Sequence, residues 1–248
     1  TGALLSGLAL SRLASGAPAA PGSSPASAAG TIVIGGDMTV NRLGFGAMRV
    51  TGPGIWGDPA DPAEARRVLQ RVVELGVSFI DTADAYGPEV NESLIAAALR
   101  PYPKGLVIAT KGGIIRPSQE KWERDGRPVH LRAACEASLK RLGLERIDLY
   151  QLHAIDPNVP LEESLGEIAR LQKEGKIRHV GVSNFDADEL ARARKVVNVV
   201  SVQNRYNVSD RSSDPVLEVC QRDGIAGLSD DLALAERTRS RAPARRLL

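Results

Sequence analysis

Short aliphatic runs alternate with amphipathic segments along the middle of the chain, from residue 42 to residue 226. The clearest amphipathic segment begins at Asp61, a helix-capping residue, followed by Pro62, which suits a first helical turn, and it ends at Gly76. Apolar residues recur in it at helical spacing and predict its buried stripe: Val68, Leu69, Val72 and Leu75. The aliphatic run 77–81 that follows predicts a buried strand.

The same alternation repeats towards the C-terminal end. Strands are predicted over 43–48, 77–81, 106–110, 147–152, 177–182 and 199–203, and a further strand opens at 225–226. The helices between and after them are predicted near 92–99, 131–142, 161–174, 187–194 and 214–223. Strands that are apolar on both faces, each followed by a helix, predict a parallel sheet covered by helices.

Two parallel folds fit this alternation, and the glycines separate them. A doubly wound sheet carries a G-x-G-x-x-G turn after its first strand, whereas here Gly44 and Gly46 lead into a long loop. We therefore predict an α/β fold of the (β/α)8 TIM-barrel type, incomplete after the start of strand seven. Residues 31–34 and 38–41 flank a Gly-Gly-Asp turn and predict an N-terminal β-hairpin that plugs the barrel floor.

Both ends of the chain differ from this predicted barrel domain, residues 31–226. Residues 1–30 hold a short apolar stretch followed by Ala, Ser, Pro and Gly without periodicity, which predicts a segment outside the core. Two interpretations stay open for it: a disordered extension, or the remnant of a leader similar to the back half of a twin-arginine signal. Residues 227–248 are rich in arginine and form an aberrant tail. A surface helix over 230–239 and a shifted reading frame or truncation both stay open for it.

Composition and charge remove several classes of function. The 248 residues are 43% hydrophobic, and a net charge of +2 spread along the chain gives no patch for nucleic acid or an anionic membrane. No apolar run reaches the roughly 18 residues that span a bilayer. Cys135 and Cys220 lie in helical patterns, and the three histidines form no H-x-H pair, so we expect neither a disulfide framework nor a metal site.

Four candidate residues follow from the barrel rule that reactive side chains lie at C-terminal strand ends and in the loops after them: Asp81, Tyr86, Lys111 and His153. A free tyrosine has a pKa near ~10, and a nearby ammonium such as that of Lys111 lowers it. Asp81 would hold Lys111 charged, and His153 could hydrogen-bond the same substrate oxygen. The set suits protonation of an oxygen that gains negative charge. Because no side chain delivers hydride, a nicotinamide cofactor would lie across the mouth.

The motifs GFGAM, FIDTADAYG, VIATKGG, DLYQLH and IRHVGVSNF occur in this order and resemble the successive strand-end motifs of the aldo-keto reductases. The resemblance implies NADPH-dependent reduction of a small aldehyde or ketone, with NADH possible, and Tyr86 as the acid among the four candidates. By the same resemblance the cofactor-binding residues are Gly46, Ala47, Met48, Asp81, Ser183, Asn184 and Gln203.

Structural interpretations remain open for these residues. Asp81 and Lys111 could be an ion pair that closes the barrel rim. His153 alone is typical of a hydrogen-bonded core histidine, and Ser183 with Asn184 could cap the next helix. Two further residues are equally open: Gln203 as a satisfied barrel side chain, and Trp56 as a packed loop aromatic or part of the substrate mouth.

Beyond residue 226 the family's cofactor-gripping groups are not recognisable, so we expect the chain as written to be a poor, aggregation-prone enzyme. Two functions stay open: an active carbonyl reductase, or a catalytically impaired nicotinamide-binding or regulatory subunit similar to the potassium-channel β subunits. The need for reduced nicotinamide favours the cytoplasm, and the leader-like residues 1–30 favour export. The substrate and the oligomeric state are not encoded in any motif, because specificity in this fold belongs to variable loops.

Overall fold

The computed structural model describes residues 24–229. The interpretations of residues 1–23 and of the tail from residue 230 onwards therefore lie outside the described residues. The strands are β1 (Thr31–Ile34), β2 (Met38–Asn41), β3 (Phe45–Gly46), β4 (Phe79–Asp81), β5 (Val107–Gly112), β6 (Ile114–Ser118), β7 (Lys121–Arg124), β8 (Ile147–Leu152), β9 (Ile177–Ser183), β10 (Val199–Asn204) and β11 (Ala226–Ser229). The α-helices are α1 (Pro62–Glu74), α2 (Val90–Leu99), α3 (Pro128–Leu142), α4 (Leu161–Lys173), α5 (Ala187–Ala193) and α6 (Asp214–Asp223).

Seven parallel strands form the main sheet, in the order β11-β10-β9-β8-β5-β4-β3. Its inner face curls so that side chains from β4, β5, β8, β10 and β11 meet in one apolar cluster. Two outer clusters pack the helices on the other face, α1 and α2 over one half and α3 to α6 over the other. This half-barrel with its helical cover confirms the predicted (β/α)8 architecture, incomplete after seven strands within residues 24–229.

Helix α1 begins where its capping signal predicts. The Asp61 carboxylate accepts hydrogen bonds from the backbone N–H groups of Ala63 and Glu64, both at 2.9 Å. The predicted stripe needs one correction. Val68 is 37% exposed, and the inward positions belong to residues spaced four and three apart: Ala65, Leu69 and Val72.

The hairpin β1–β2 closes the N-terminal end of the barrel, as predicted. Ile34 and Met38 are buried in the inner cluster against Phe79, which opens β4. In the turn, Asp37 accepts hydrogen bonds from Arg178 at 2.8 Å and pairs with His179 at 2.6 Å, both near the start of β9. The hairpin therefore lies at the opposite end of the strands from Asp81 and Lys111.

Two predicted boundaries move. Residues 25–29 form a 3₁₀-helix, and Ala26 is 1% exposed against Val72 and Val77, so the extension expected over 1–30 is wrong for this part. Ala26 also donates its backbone N–H to the Leu75 carbonyl at 3.0 Å. At the other end, β11 continues three residues beyond 226 by parallel pairing with β10.

The antiparallel hairpin β6–β7 is absent from the prediction. Its residues are mostly polar and include Pro117, so they lack the apolar alternation that indicates a strand. Among residues 24–229, the helices are all too short or too polar to cross a bilayer.

Met38 provides a test of the hairpin's role. It is 3% exposed in the inner cluster, so Met38→Ala should lower the free energy of unfolding by ~2–5 kcal/mol through lost burial and a residual cavity. Urea denaturation of the variant and the wild type gives the difference. The exposed neighbour, changed as Thr39→Ala, is the matched control. Equal losses in the two variants would contradict a hairpin that plugs the core.

Candidate active site

The C-terminal strand ends bring the four candidate residues together. Asp81 ends β4, Lys111 lies near the end of β5, and His153 follows β8 directly. Tyr86 lies in the loop between β4 and α2, where its backbone N–H donates to the Ala83 carbonyl at 3.2 Å. All four are at least nine-tenths buried.

The Lys111 ammonium has a separate partner for each of its three donors. Nζ donates to Asp81 Oδ2 at 2.6 Å, to the Thr82 carbonyl at 3.0 Å and to the Tyr86 hydroxyl at 3.3 Å. Burial lowers the pKa of Lys111, but the charges and hydrogen bonds of Asp81 and Tyr86 outweigh it and raise the pKa above its usual range. The ammonium therefore stays charged at neutral pH. The predicted ion pair is present, and it also contacts the phenol.

His153 lies against the ring of Tyr86. The two ring centroids are 5.8 Å apart, with an interplanar angle of 83°. Burial, reinforced by repulsion from the Lys111 ammonium, holds the pKa of His153 well below its usual value, so the imidazole is neutral. Its Nδ1 is buried without a hydrogen-bond partner within residues 24–229. A neutral imidazole beside the phenol can hydrogen-bond a substrate oxygen without carrying charge.

Two buried glutamines bind the Asp81 carboxylate. Gln151 donates to Oδ1 at 3.3 Å and Gln203 donates to Oδ2 at 3.1 Å. Gln151 also donates to the Gln203 side-chain oxygen at 3.0 Å. Gln203 is thus a hydrogen-bonded side chain of the barrel interior, as its structural interpretation predicted. Gln151 was missed by the sequence analysis, although its position two residues before His153 places both side chains on one face of the chain.

Ser183 and Asn184 lie beside His153 at the end of β9. Asn184, with a φ of 60°, donates its side-chain amide to the His153 carbonyl at 3.0 Å and to Ser183 Oγ at 3.1 Å. Helix α5 is instead capped by Asp186, which forms a capping box with Glu189. The cap interpretation of Ser183 and Asn184 is therefore wrong.

The three predicted cofactor-binding residues of the GFGAM motif lie beside β4. Gly46 pairs with Asp81 in the sheet, and a Cβ at Gly46 would meet no atom within 4 Å. Ala47 and Met48 follow in a 3₁₀-helix, with Ala47 fully buried. The open space over Gly46 borders the carboxylate that holds Lys111, so the backbone there can approach a bound molecule closely.

A cation-π stack borders Tyr86. Arg116 of β6 lies 5.4 Å from the Trp56 ring centroid and 3.7 Å from that of Trp122. Its guanidinium also donates to backbone carbonyls, including that of Ile55 at 3.0 Å. The 41%-exposed Trp122 lies edge-on to Tyr86, with centroids 6.5 Å apart. Trp56 is therefore packed in its loop, and Trp122, which the sequence analysis missed, lines the mouth.

A cofactor with a carboxamide fits these side chains. A nicotinamide carboxamide has one acceptor oxygen and an NH₂ donor, and Ser183, Asn184 and Gln203 supply hydroxyl and amide groups of both kinds. Within residues 24–229 no three His, Cys, Asp or Glu residues form a cluster that could hold a metal ion.

The low pKa of His153 has a measurable consequence. Below pH 6.5 the imidazole binds a proton in the unfolded state but stays neutral in the folded state. The free energy of unfolding therefore decreases as the pH is lowered, by up to about 1.4 kcal/mol per pH unit. NMR of the imidazole, assigned with His153→Asn, should show a ring that is still neutral at pH 6.5 and gains its proton only at a clearly lower pH. A ring that gains its proton near pH 6.5 would contradict the burial argument.

Comparison with curated proteins gives close relatives. An uncharacterized oxidoreductase of Schizosaccharomyces pombe is 52% identical over 201 residues, which are 81% of this chain and 65% of that protein. Pyridoxine 4-dehydrogenase of Escherichia coli is 40% identical over 197 residues, 77% of this chain and 69% of the enzyme. The chain thus spans about two thirds of the length of these relatives, and less than that of the first.

Solved structures agree with this relationship. The glycerol dehydrogenase of Gluconobacter oxydans superposes with a TM-score of 0.76 at 30% identity, covering 87% of this chain and 69% of the enzyme. An aldo-keto reductase from Klebsiella pneumoniae in complex with NADPH superposes with a TM-score of 0.64 at 25% identity, covering 84% of this chain and 69% of that chain.

The sequence model of the aldo/keto reductase family matches residues 42–229, which include every strand of the parallel sheet and all the candidate residues. With the half-barrel, the strand-end cluster and these relatives, the match shows that the chain belongs to the aldo/keto reductase family.

Proposed function

We propose that the protein reduces aldehydes or ketones to alcohols with hydride from NADPH, and that Tyr86 is the general acid. The observation that carries the proposal is the 3.3 Å contact between the Lys111 ammonium and the Tyr86 hydroxyl. A charged donor on the phenol stabilises the phenolate that remains after proton transfer. Tyr86 can therefore give its proton to a carbonyl oxygen as charge develops there.

Asp81 and Lys111 support this proton transfer without taking part in bond formation. Lys111 is 1% exposed, so an unpaired ammonium there would tend to lose its proton. The 2.6 Å contact with Asp81 keeps the ammonium charged and fixes its position. The two glutamine donors on Asp81 hold the carboxylate in turn.

His153 orients the carbonyl in this proposal. Because its pKa is held far below neutrality, it cannot compete with Tyr86 as an imidazolium acid. One nitrogen of the neutral ring can donate to the carbonyl oxygen, and this second hydrogen bond fixes the approach of the oxygen to the phenol.

The nicotinamide, when bound, supplies the hydride. Ser183 and Asn184 would hold its carboxamide, and Gln203 would join them by exchanging its hydrogen bond to Asp81. The chain next to Gly46 would border the bound cofactor. NADPH is proposed over NADH because the Klebsiella pneumoniae structure contains it, and NADH remains the alternative.

The substrate is a small carbonyl compound. Trp122 presents an exposed aromatic surface beside Tyr86, which suits a partly apolar substrate. Two relatives are named for different alcohols, pyridoxine 4-dehydrogenase and glycerol dehydrogenase. The proposal therefore covers the reaction class, and the loops around the site determine which carbonyl compound is bound.

Replacing the phenol tests the role of Tyr86. Tyr86→Phe should lower NADPH-dependent carbonyl reduction by ~10²- to 10⁴-fold because the proton donor is lost, while NADPH affinity stays nearly unchanged. Initial rates with a panel of aldehydes and NADPH fluorescence titration measure the two effects. Tyr102→Phe is the control, because that hydroxyl donates to the Leu142 carbonyl at 2.7 Å, outside the site.

Near-wild-type turnover in Tyr86→Phe would contradict the assignment. If the wild-type protein itself bound NADPH and turned over no carbonyl, the regulatory-subunit interpretation would replace the reductase.

We also propose the cytoplasm as the site of action, since reduced nicotinamide is continuously regenerated there. Fractionation of cells that make the protein should find it with cytoplasmic marker enzymes. A processed form outside the cytoplasm would favour the leader interpretation of residues 1–30.

A further inference from the structure

Helix α2 begins four residues after Tyr86 and carries two adjacent polar side chains that are completely buried. Asn91 and Glu92 are both 0% exposed. Most other buried positions of the helix are apolar, such as Leu94 and Ile95. A buried carboxylate and amide are costly unless fully hydrogen-bonded, and apolar residues of similar size often give equal stability. Their contacts show what these two residues provide.

Asn91 connects α2 to the residue after Asp81. The Thr82 hydroxyl donates to Asn91 Oδ1 at 2.6 Å, and Asn91 Nδ2 donates to the Ala47 carbonyl at 2.7 Å. The Asn91 backbone N–H donates to the Tyr86 carbonyl at 3.2 Å. One residue thus holds the end of β4, the end of β3 and the Tyr86 loop.

Glu92 connects the same helix to the residue before Lys111. The Thr110 hydroxyl donates to Glu92 Oε1 at 2.6 Å, and Arg141 of α3 donates to Oε2 at 2.7 Å. Both oxygens of the carboxylate are therefore occupied. Because Thr110 and Lys111 are consecutive in β5, the position of Glu92 relative to this strand fixes the backbone from which Lys111 extends.

The two sets of contacts meet at the ammonium. Lys111 Nζ binds Asp81 and the Thr82 carbonyl, which belong to the strand end held by Asn91, and the Tyr86 hydroxyl, which belongs to the loop held by α2. A relative shift of β4, β5 and this loop would lengthen at least one of these contacts. A displacement of about 1 Å at a reacting group can lower a rate on the order of 10²-fold.

We propose that Asn91 and Glu92 are positioning residues that set the distance between the Lys111 ammonium and the Tyr86 hydroxyl. They act through Thr82 and Thr110 and touch neither reacting group with their side chains. The inference rests on the proposed roles of Tyr86 and Lys111 for its catalytic meaning. The fixed surroundings of the Lys111 ammonium can be measured by a method that does not depend on enzyme activity.

The test removes one hydroxyl at a time with variants of nearly unchanged shape, Thr82→Val and Thr110→Val. The readout is the pH at which Lys111 loses its proton, followed by NMR of ¹³Cε-labelled lysine and assigned with Lys111→Arg. Four titratable side chains surround that ammonium: Asp81 on β4, Asp84 and Tyr86 in the following loop, and His153 after β8.

Burial lowers the pKa of Lys111, and close contact with Asp81 and Tyr86 raises it. Looser contacts at unchanged burial should therefore move the titration of Lys111 downward, on the order of one pH unit, in both valine variants. The serine variants Thr82→Ser and Thr110→Ser retain the hydroxyl and should titrate like the wild type. Turnover should fall ~10- to 100-fold in the valine variants, with NADPH affinity little changed.

Ser164→Ala is the matched control for loss of a buried hydroxyl. Ser164 is 2% exposed and donates to the Gly126 carbonyl at 2.6 Å, outside α2 and the Tyr86 loop. It should lower the thermal midpoint without moving the Lys111 titration. An unmoved Lys111 titration in both folded valine variants, or an equal shift in Ser164→Ala, would overturn the proposal. A shifted titration in a protein without any turnover would instead contradict the proposed function alone.

Discussion

The buried ion pair between Lys111 and Asp81 is the interaction on which the site depends. An ammonium that is 1% exposed is tolerated only if each of its donors is bound, and here a carboxylate, a backbone carbonyl and a phenol do so. The carboxylate in turn requires its own donors, which Gln151 and Gln203 supply. The buried Lys111 ammonium therefore determines which polar side chains are needed at the C-terminal strand ends.

The fold separates this polar layer from the elements that stabilise it. The hairpin β1–β2 fills the N-terminal end of the half-barrel with apolar side chains, and the charged and amide groups lie at the C-terminal strand ends. Helix α2 contacts both the apolar core and the polar layer. Its apolar side chains pack in the outer core, and its first turn binds the strand ends around Lys111. The polar groups of the site are thus held by the strands and α2, whereas Trp122 reaches Tyr86 from the separate hairpin β6–β7.

The sequence predicted the elements whose signals are local. The cap at Asp61 and the alternation of strands and helices placed α1 and the parallel sheet correctly, and the strand-end rule brought Asp81, Lys111 and His153 to one site. It failed where the decisive contacts are long-range. Gln151 is polar in an apolar strand because the barrel interior needs a donor for Asp81 from seventy positions away in sequence. The sequence analysis also missed the hairpin β6–β7, because its residues lack the apolar alternation that indicates a strand.

In the proposed mechanism Tyr86, held by Lys111, gives its proton to the substrate oxygen. A crystal structure of the protein with NADP⁺ and an unreactive carbonyl ligand tests it most directly. The carbonyl oxygen should lie within ~2.6–3.2 Å of both the Tyr86 hydroxyl and a His153 ring nitrogen, with the contact between Lys111 and Tyr86 retained. A carbonyl oxygen bound away from the Tyr86 hydroxyl, with another side chain as its donor, would contradict it.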